Sequence, residues 1–175
     1  MFIRINSKRF ELLEPFFRDP GLETSIRQLS RDTDISPAWV SKNTKELNDQ
    51  DILNVEEDLA SKKISIGKKF RDIKEIYNYR AIKDSGLVEY LEEELRPDAI
   101  VLFGSFERGE DTKNSDIDIA IINGRKKNLN LSDFEEKLLD RNIEIQSIEN
   151  LKNSDINFRN SLANGKTLYG FMEVV

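Results

Sequence analysis

The chain has 175 residues, of which 38% are hydrophobic and 34% are charged, and its formal net charge is −6. This composition is typical of a globular protein and excludes a disordered chain or a long apolar membrane span. Because the first residues lack the apolar stretch of a secretory signal, we expect a cytoplasmic protein. The sequence has no cysteine and no histidine, so disulfides and thiolate or imidazole metal sites are excluded and any metal must be bound through oxygen.

The first half of the sequence predicts three helices followed by a hairpin. Apolar residues at helical spacing end at Phe17, just before the turn sequence RDPGLE. A short second helix is expected over Ser25–Thr33, and a third begins after Ser36, which is placed to cap it. Two alternating strands follow at residues 52–55 and 62–66, with EEDLAS as their connection.

This order of elements, together with the stretch ISPAWVSKNTKELNDQDIL, resembles the winged helix-turn-helix family over about residues 5–69. We therefore assign residues 1–69 to such a domain. The resemblance implies contact with double-stranded DNA through the third helix and the hairpin, and the side chains expected there are Ser41, Lys42, Lys45, Lys62 and Lys63. Winged helices also serve as dimerisation or protein-docking modules. The equal numbers of basic and acidic residues in this half favour such a role over DNA binding, because a surface without net charge attracts DNA weakly. A dimerisation role would make the protein an oligomer.

After residue 69 the pattern changes. Residues 70–86 predict a connecting helix, and residues 87–95 predict a second helix that ends before Pro97. The remainder alternates strands and helices, which predicts a small mixed sheet and an α+β protein overall. The expected strands are residues 99–103, 116–122 and 142–148. Three helices are expected between and after them: one that begins at Ser105, one over residues 131–139 and one over residues 151–164.

The stretch VLFGSFERGEDTKNSDIDIAII places two aspartates within an aliphatic strand. Since side chains alternate across a strand, Asp116 and Asp118 share one face. Two ionised carboxylates at this spacing repel each other and lose hydration, which costs on the order of several kcal/mol unless a cation compensates. A ligand set made only of oxygen suits Mg²⁺ or Mn²⁺.

The same stretch offers groups that suit a phosphate. Gly104, at the end of a strand, lets the backbone approach a phosphate closely, and Ser105 adds a hydroxyl beside free N–H groups. Arg108 and Lys113 lie on the loop that precedes the aspartates and are candidate phosphate contacts. Gly-Ser alone is common after strands, so its meaning comes from the aspartates that follow.

The GS of GSFERGE, followed after ten residues by DID, resembles the signature of the polymerase-beta-type nucleotidyltransferase superfamily, and most closely its minimal nucleotidyltransferase (MNT) branch. The likeness extends from about Leu87 to the final GKTLYG, so residues 87–175 are assigned to this domain. Members move a nucleoside monophosphate from an NTP to a hydroxyl with Mg²⁺. The resemblance therefore implies an NTP substrate, with ATP as the first choice, and catalytic metal-binding roles for Asp116 and Asp118.

A third carboxylate is expected on the strand NIEIQSI. Glu144 faces away from Ile143 and Ile145, and neighbouring strands lie about 5 Å apart, so Glu144 can reach the same metal and help deprotonate the attacking hydroxyl. The family usually has aspartate at this position. The extra methylene moves the carboxylate by about one bond length. An octahedral Mg²⁺ site tolerates little distortion, so this displacement is enough to weaken metal binding.

The predicted function is transfer of AMP, or another nucleoside monophosphate, to a hydroxyl on a partner protein. MNT proteins often pair with HEPN-domain partners as antitoxins, so the resemblance suggests a tyrosine of such a partner as the acceptor. One alternative is a transcription regulator whose nucleotidyltransferase domain only senses nucleotide, which the glutamate at position 144 favours. A second alternative is a small-molecule adenylyltransferase, which the lack of an added substrate domain disfavours.

Overall fold

A computed structural model describes residues 7–58, 61–149, 151 and 154–173. The chain divides into two compact units, Met1–Lys74 and Glu75–Val175, and the division falls inside a helix. Among the helices that the structure describes, none combines the length and the apolar character needed to cross a bilayer.

The first unit contains three helices, a short strand and a hairpin, and it also includes the start of a fourth helix. Three strands form an antiparallel sheet in the order β1-β3-β2. The elements are α1 (Ser7–Arg18), β1 (Thr24–Ser25), α2 (Ile26–Thr33), α3 (Pro37–Asn48), β2 (Leu53–Asp58), β3 (Ser61–Ile66) and α4 (Phe70–Ser85). The three helices and the hairpin are thus present in the predicted order, whereas the winged-helix assignment stays a prediction.

Two details of the first unit differ from the sequence expectation. The predicted connection EEDLAS is mostly strand, because Glu56 pairs with Lys63 and the pairing continues to Asp58 opposite Ser61. Of that connection, residues 59 and 60 lie outside the described residues. The strand β1 was not expected. It has two residues and pairs with β3, with Thr24 opposite Ile64. A strand of this length carries too little periodicity for a sequence pattern to detect.

The second unit is built on a four-stranded mixed sheet in the order β6-β5-β4-β7. Strands β5 and β6 are parallel, and β4 is antiparallel to both of its neighbours. The elements, after α4, are α5 (Leu87–Leu95), β4 (Ala99–Phe103), α6 (Gly104–Glu107), β5 (Ile117–Ile122), α7 (Ser132–Lys137), β6 (Ile143–Ile148), α8 (Ile156–Ala163) and β7 (Lys166–Gly170). The predicted α+β class with a small mixed sheet is therefore confirmed for this unit.

The two faces of this sheet are covered by different helices. On one face, Ile100, Leu102 and Ile119 pack with Leu91 and other apolar residues of α5. On the other face, Val101 and Phe103 pack with Leu162 and Phe158 of α8, where the rings of Phe103 and Phe158 meet edge to face at 5.6 Å. The side chains of Asp118 and Glu144 belong to the face that α8 covers, because they alternate with the isoleucines of the first face.

The second unit differs from the prediction at several boundaries and contains one strand that was not predicted. The last helix starts at Ile156 rather than at residue 151, because Asp155 caps it by accepting hydrogen bonds from the backbone N–H groups of Asn157 and Phe158. Helix α7 ends at Lys137, before two left-handed residues, Leu139 and Asp140. The final GKTLYG, for which no strand was predicted, contains β7.

Candidate active site

The candidate site begins where β4 ends. Backbone pairing places Phe103, the last residue of β4, opposite Asp118 of β5. The next residue, Gly104, has φ of +82°, and a Cβ atom built on it would collide with the Asp118 carboxylate, with the Asp118 Cγ only 3.0 Å away. Only glycine combines this left-handed backbone with such close contact. The turn after β4 therefore lies directly against the carboxylate of Asp118.

The parallel pairing of β5 with β6 brings in the second strand. Asp118 is in register with Glu144, so their Cα atoms occupy neighbouring positions on adjacent strands about 4.8 Å apart. Asp116 lies one residue before β5, which begins at Ile117 rather than at the predicted residue 116. The Oδ1 atom of Asp116 accepts a hydrogen bond of 3.2 Å from the Asn142 side-chain amide. Three carboxylates from two chain segments thus lie at one end of the sheet.

The electrostatics of Asp118 reflect this concentration of negative charge. Burial raises the pKa of Asp118, and the neighbouring carboxylates of Glu144 and Asp116 raise it further. The Arg108 guanidinium acts in the opposite direction, towards a lower pKa, but it is the smallest of the four influences. Arg108 also donates from Nε to Glu110 at 2.7 Å, so part of its charge is neutralised locally. Among these groups the influences that raise the pKa of Asp118 outweigh that of Arg108, so Arg108 does not offset the negative charge around Asp118.

The donor set suits a hard divalent cation, since its members are carboxylates that repel one another in a partly buried position. Within the described ranges, however, no group of three acidic side chains is close enough to hold one ion jointly. Asp116, Asp118 and Glu144 are therefore brought to one end of the sheet without forming a ready three-ligand metal site. Their metal-binding roles stay predictions.

The other predicted phosphate contacts lie on the chain between β4 and β5. Ser105 is partly buried in the first turn of α6, and its carbonyl accepts a hydrogen bond of 2.9 Å from the backbone N–H of Glu110. Arg108 is close enough to Asp118 to influence its pKa, as described above. Lys113 is exposed on the loop before β5. The structure therefore associates Arg108 more closely with the carboxylates than sequence position alone could indicate.

Asn142 is a member of the site that the sequence patterns did not identify. Its amide contacts Asp116, and its carbonyl accepts a hydrogen bond of 2.8 Å from the backbone N–H of Ile117. Both contacts tie the start of β6 to the start of β5. An asparagine just before a strand gives no signal by itself, because turns commonly contain this residue.

The predicted DNA-contacting residues of the first unit are separated by the structure into two groups. Ser41, Lys45 and Lys62 line a surface groove between α2, α3 and the hairpin, and Arg27 lines an adjoining depression that shares Ser41 and Lys62 with it. Lys42 is exposed on α3 one position from Ser41, which turns it by about 100° around the helix. The Lys63 ammonium forms an ion pair with Glu23 at 2.7 Å.

The mixed sheet, the glycine turn and the carboxylates of two adjacent strands together define a nucleotidyltransferase type of domain. The family model described as "Polymerase beta, Nucleotidyltransferase" matches residues 85–172, which is half of the chain. The chain belongs to this family, and the resemblance inferred from the sequence is confirmed at that level. A search of curated proteins gave no significant match.

Proposed function

We propose that this nucleotidyltransferase moves a nucleoside monophosphate, AMP in the first instance, from an NTP to a hydroxyl on a partner protein, with Mg²⁺ or Mn²⁺. One observation carries the proposal: Gly104 lies against Asp118, and Asp118 is in register with Glu144. A turn that admits close approach of a phosphate is thereby adjacent to carboxylates whose mutual repulsion a divalent cation would relieve.

Each group has a defined role in this reaction. Gly104 and Ser105 bind the triphosphate, and Asp116 and Asp118 hold the divalent ion. When bound, that ion supplies positive charge that offsets the charge developing on the phosphate oxygens. Glu144 accepts the proton of the attacking hydroxyl, and its carboxylate would have to move closer to the two aspartates to act as a further ligand. The hydroxyl oxygen forms a bond to the α-phosphorus, and the bond from that phosphorus to the pyrophosphate leaving group breaks.

A protein acceptor is favoured by the charge of the second unit. Acidic residues outnumber basic ones after residue 70, which disfavours a nucleic acid as the molecule held beside the site. The hydroxyl of a tyrosine on a HEPN-type partner is the specific acceptor we propose. This choice follows the resemblance of GSFERGE and DID to the MNT branch.

Incubation with ATP labelled on the α-phosphate tests the activity. The wild type and Asp116→Asn are compared with a HEPN-type partner as acceptor, and labelled partner is resolved by electrophoresis. We expect labelling that requires Mg²⁺ or Mn²⁺ and that Asp116→Asn loses. Calorimetry supplies the matched binding measurement, and ATP affinity that EDTA leaves unchanged would contradict the metal-dependent site.

For the first unit we propose a winged helix that binds duplex DNA. The groove lined by Ser41, Lys45 and Lys62 supports this, because it brings cationic side chains of α3 and of the hairpin to one surface. Docking of another protein on the same groove is the alternative use. The basic residues that line the groove and the adjoining depression, Arg27, Lys45 and Lys62, outnumber the acidic residue there, Asp49, which favours a polyanion.

A nucleotide-sensing regulator is the second candidate function, and Glu144 is the observation that favours it. This glutamate stands where the family usually has aspartate, and its side chain is exposed. The labelled-ATP experiment separates the two candidates. Binding of ATP and of DNA without transfer to a protein, RNA or small hydroxyl acceptor would establish the regulator.

A further inference from the structure

A buried polar cluster lies in the second unit beside the candidate site, and it consists of Asn78, Asp111 and Arg141. Asn78 is fully buried, and Asp111 and Arg141 are 2% and 3% exposed. The guanidinium Nη2 of Arg141 and the Oδ2 atom of Asp111 form an ion pair at 2.9 Å. Charged side chains are seldom buried to this degree unless they are paired and hydrogen-bonded.

The cluster joins three segments that are distant in the sequence. The amide nitrogen of Asn78, in α4, donates to the carbonyl of Phe106 and to the Oδ1 atom of Asp111, both at 2.8 Å. Because both partners accept, this position requires a nitrogen that can donate two hydrogen bonds, which the side-chain amide of Asn78 supplies. Arg141, before β6, also donates from Nη1 to the carbonyl of Thr112. The helix α6, the following loop and the start of β6 are thereby tied together.

These are the segments that carry the candidate site. The loop containing Asp111 and Thr112 connects the Gly104 turn to Asp116. Arg141 immediately precedes Asn142, whose side chain contacts Asp116, and it lies three residues before Glu144. A displacement of Arg141 would therefore be transmitted along a few bonds to two of the three carboxylates.

We propose that Asn78, Asp111 and Arg141 are positioning residues, which fix the phosphate-binding turn and the carboxylates of β5 and β6 relative to one another. The proposal rests on the nucleotidyltransferase function proposed above. Apolar residues of similar volume often stabilise a fold as well as a buried ion pair does, so stability alone does not account for this cluster. The guanidinium differs from an apolar side chain because it donates a hydrogen bond to a loop carbonyl while its charge pairs with the Asp111 carboxylate.

The test compares Arg141→Lys, Arg141→Met and Asn78→Leu with Ile121→Val. The control residue Ile121 is fully buried in the same sheet, away from the carboxylate end. Two measurements are made on the full chain: hydrogen exchange of the backbone over residues 109–118, and the Mg²⁺ concentration that half-saturates ATP binding. We expect faster loop exchange and a 10- to 100-fold higher Mg²⁺ requirement in the cluster variants, about the effect of losing a partner of a metal ligand.

Ile121→Val should leave both measurements unchanged even where it lowers the melting temperature to the same extent. Arg141→Lys retains the charge but loses the fork of donors, so it provides a folded variant if Arg141→Met does not fold. Loop exchange that Arg141→Lys and Asn78→Leu leave at the control's rate would overturn the proposal. This exchange measurement does not depend on catalysis, whereas a wild type that neither binds Mg²⁺-ATP nor transfers AMP would overturn the proposed function instead.

Discussion

Asp118 in the second unit and Lys45 in the first are both proposed to help bind phosphate groups, Asp118 through a divalent ion and Lys45 directly, but the chain holds them in different ways. Asp118 is fixed by backbone pairing on both sides, with Phe103 on one neighbouring strand and Glu144 on the other. Lys45 is an exposed helix residue at the edge of a groove. One side chain is bound into the sheet, and the other extends into solvent.

The difference determines how each surface responds to change. In the sheet, the position of the Asp118 carboxylate is set by strand register and by the absence of a Cβ atom at Gly104. Adding or removing a single atom there would therefore alter the geometry of the site. At the groove, long flexible cations contribute separately, and each contributes a modest share of the binding energy. We therefore expect large effects from isosteric substitutions in the site and small, nearly additive effects in the groove.

The largest effect is expected for Asp118→Asn. The substitution keeps the shape of the side chain but removes the charge that would hold the divalent ion, so several kcal/mol of transition-state stabilisation should be lost, equivalent to about 10³-fold or more in rate. Single-turnover transfer from labelled ATP measures this loss. Transfer that stays within about tenfold of wild type would mean that Asp118 is not a metal ligand.

Glu144→Gln should slow AMP transfer by about 10²-fold, near the lower end of the range for loss of a general base. ATP affinity should change little, because Gly104, Ser105, Asp116 and Asp118 still hold the triphosphate and its ion. Glu144→Asp is the matched variant, and it should retain or increase the rate if the longer side chain is a handicap. Equal rates in wild type and Glu144→Gln would remove Glu144 from the mechanism.

Gly104→Ala should weaken Mg²⁺-ATP binding by about tenfold, which corresponds to a reduction of about 1.4 kcal/mol in binding free energy. The new Cβ would displace the Asp118 carboxylate. Gly86→Ala provides the control, because Gly86 has almost the same φ, +81°, but no atom lies within 4 Å of the added Cβ. Both variants should lose about 1–2 kcal/mol of folding stability from the left-handed backbone, and only Gly104→Ala should lose affinity.

Without metal, Asp118 should make stability depend on pH in a defined direction. Because burial, Glu144 and Asp116 raise the pKa of Asp118 above its ordinary value of 3.8, the folded chain holds this proton more tightly than the unfolded chain. The associated stability is fully present below pH 3.8 and is lost as the pH rises through the raised pKa. In EDTA, Asp118→Asn should therefore melt higher than wild type at about pH 7, and the difference should shrink in acid.

The smallest effect is expected in the groove. Lys45→Ala with Lys62→Ala should weaken duplex-DNA binding modestly and reduce the slope of log K against log salt by about 0.9 for each phosphate that the protein no longer neutralises. Gel shifts at several salt concentrations measure the slope. Lys42→Ala is the matched control, because it removes an exposed lysine of the same helix that lies off the groove. An equal response in Lys42→Ala would show that the groove is not the DNA surface.

Patterns local in the sequence predicted much of the second unit. The strands AIVLF and IDIAII are apolar except for Asp118, so their existence could be predicted, and the shared face of the DID carboxylates follows from the alternation of side chains along a strand. The pairing of Asp118 with Glu144 is different, because periodicity gives the face of a side chain but not the register between strands. The spacing between neighbouring strands predicted that Glu144 could come near Asp118. Only the structure shows that the two residues are directly opposite each other.

The features that the sequence did not predict depend on contacts between distant residues. Strand β7, with the sequence KTLYG, has one leucine at its centre and resembles a loop until it pairs with β4. The buried pair of Asp111 and Arg141 joins residues 30 positions apart, and charged residues are normally assigned to the surface. Helix α8 is shorter than its apolar pattern suggested, because Asp155 fixes its start through backbone capping.

Strand β7 also protects the protein against self-association. It covers one side of β4, whose five residues, Ala99–Phe103, are all buried and entirely apolar. A chain cut after Asn164 would expose an unpaired row of backbone N–H and C=O groups along this strand, a template to which β4 of another molecule could hydrogen-bond. Five successive apolar residues without charge or proline are the kind of segment that stacks into cross-β fibres. Loss of the last strand should therefore be evident first as aggregation in light scattering, before any loss of activity can be measured.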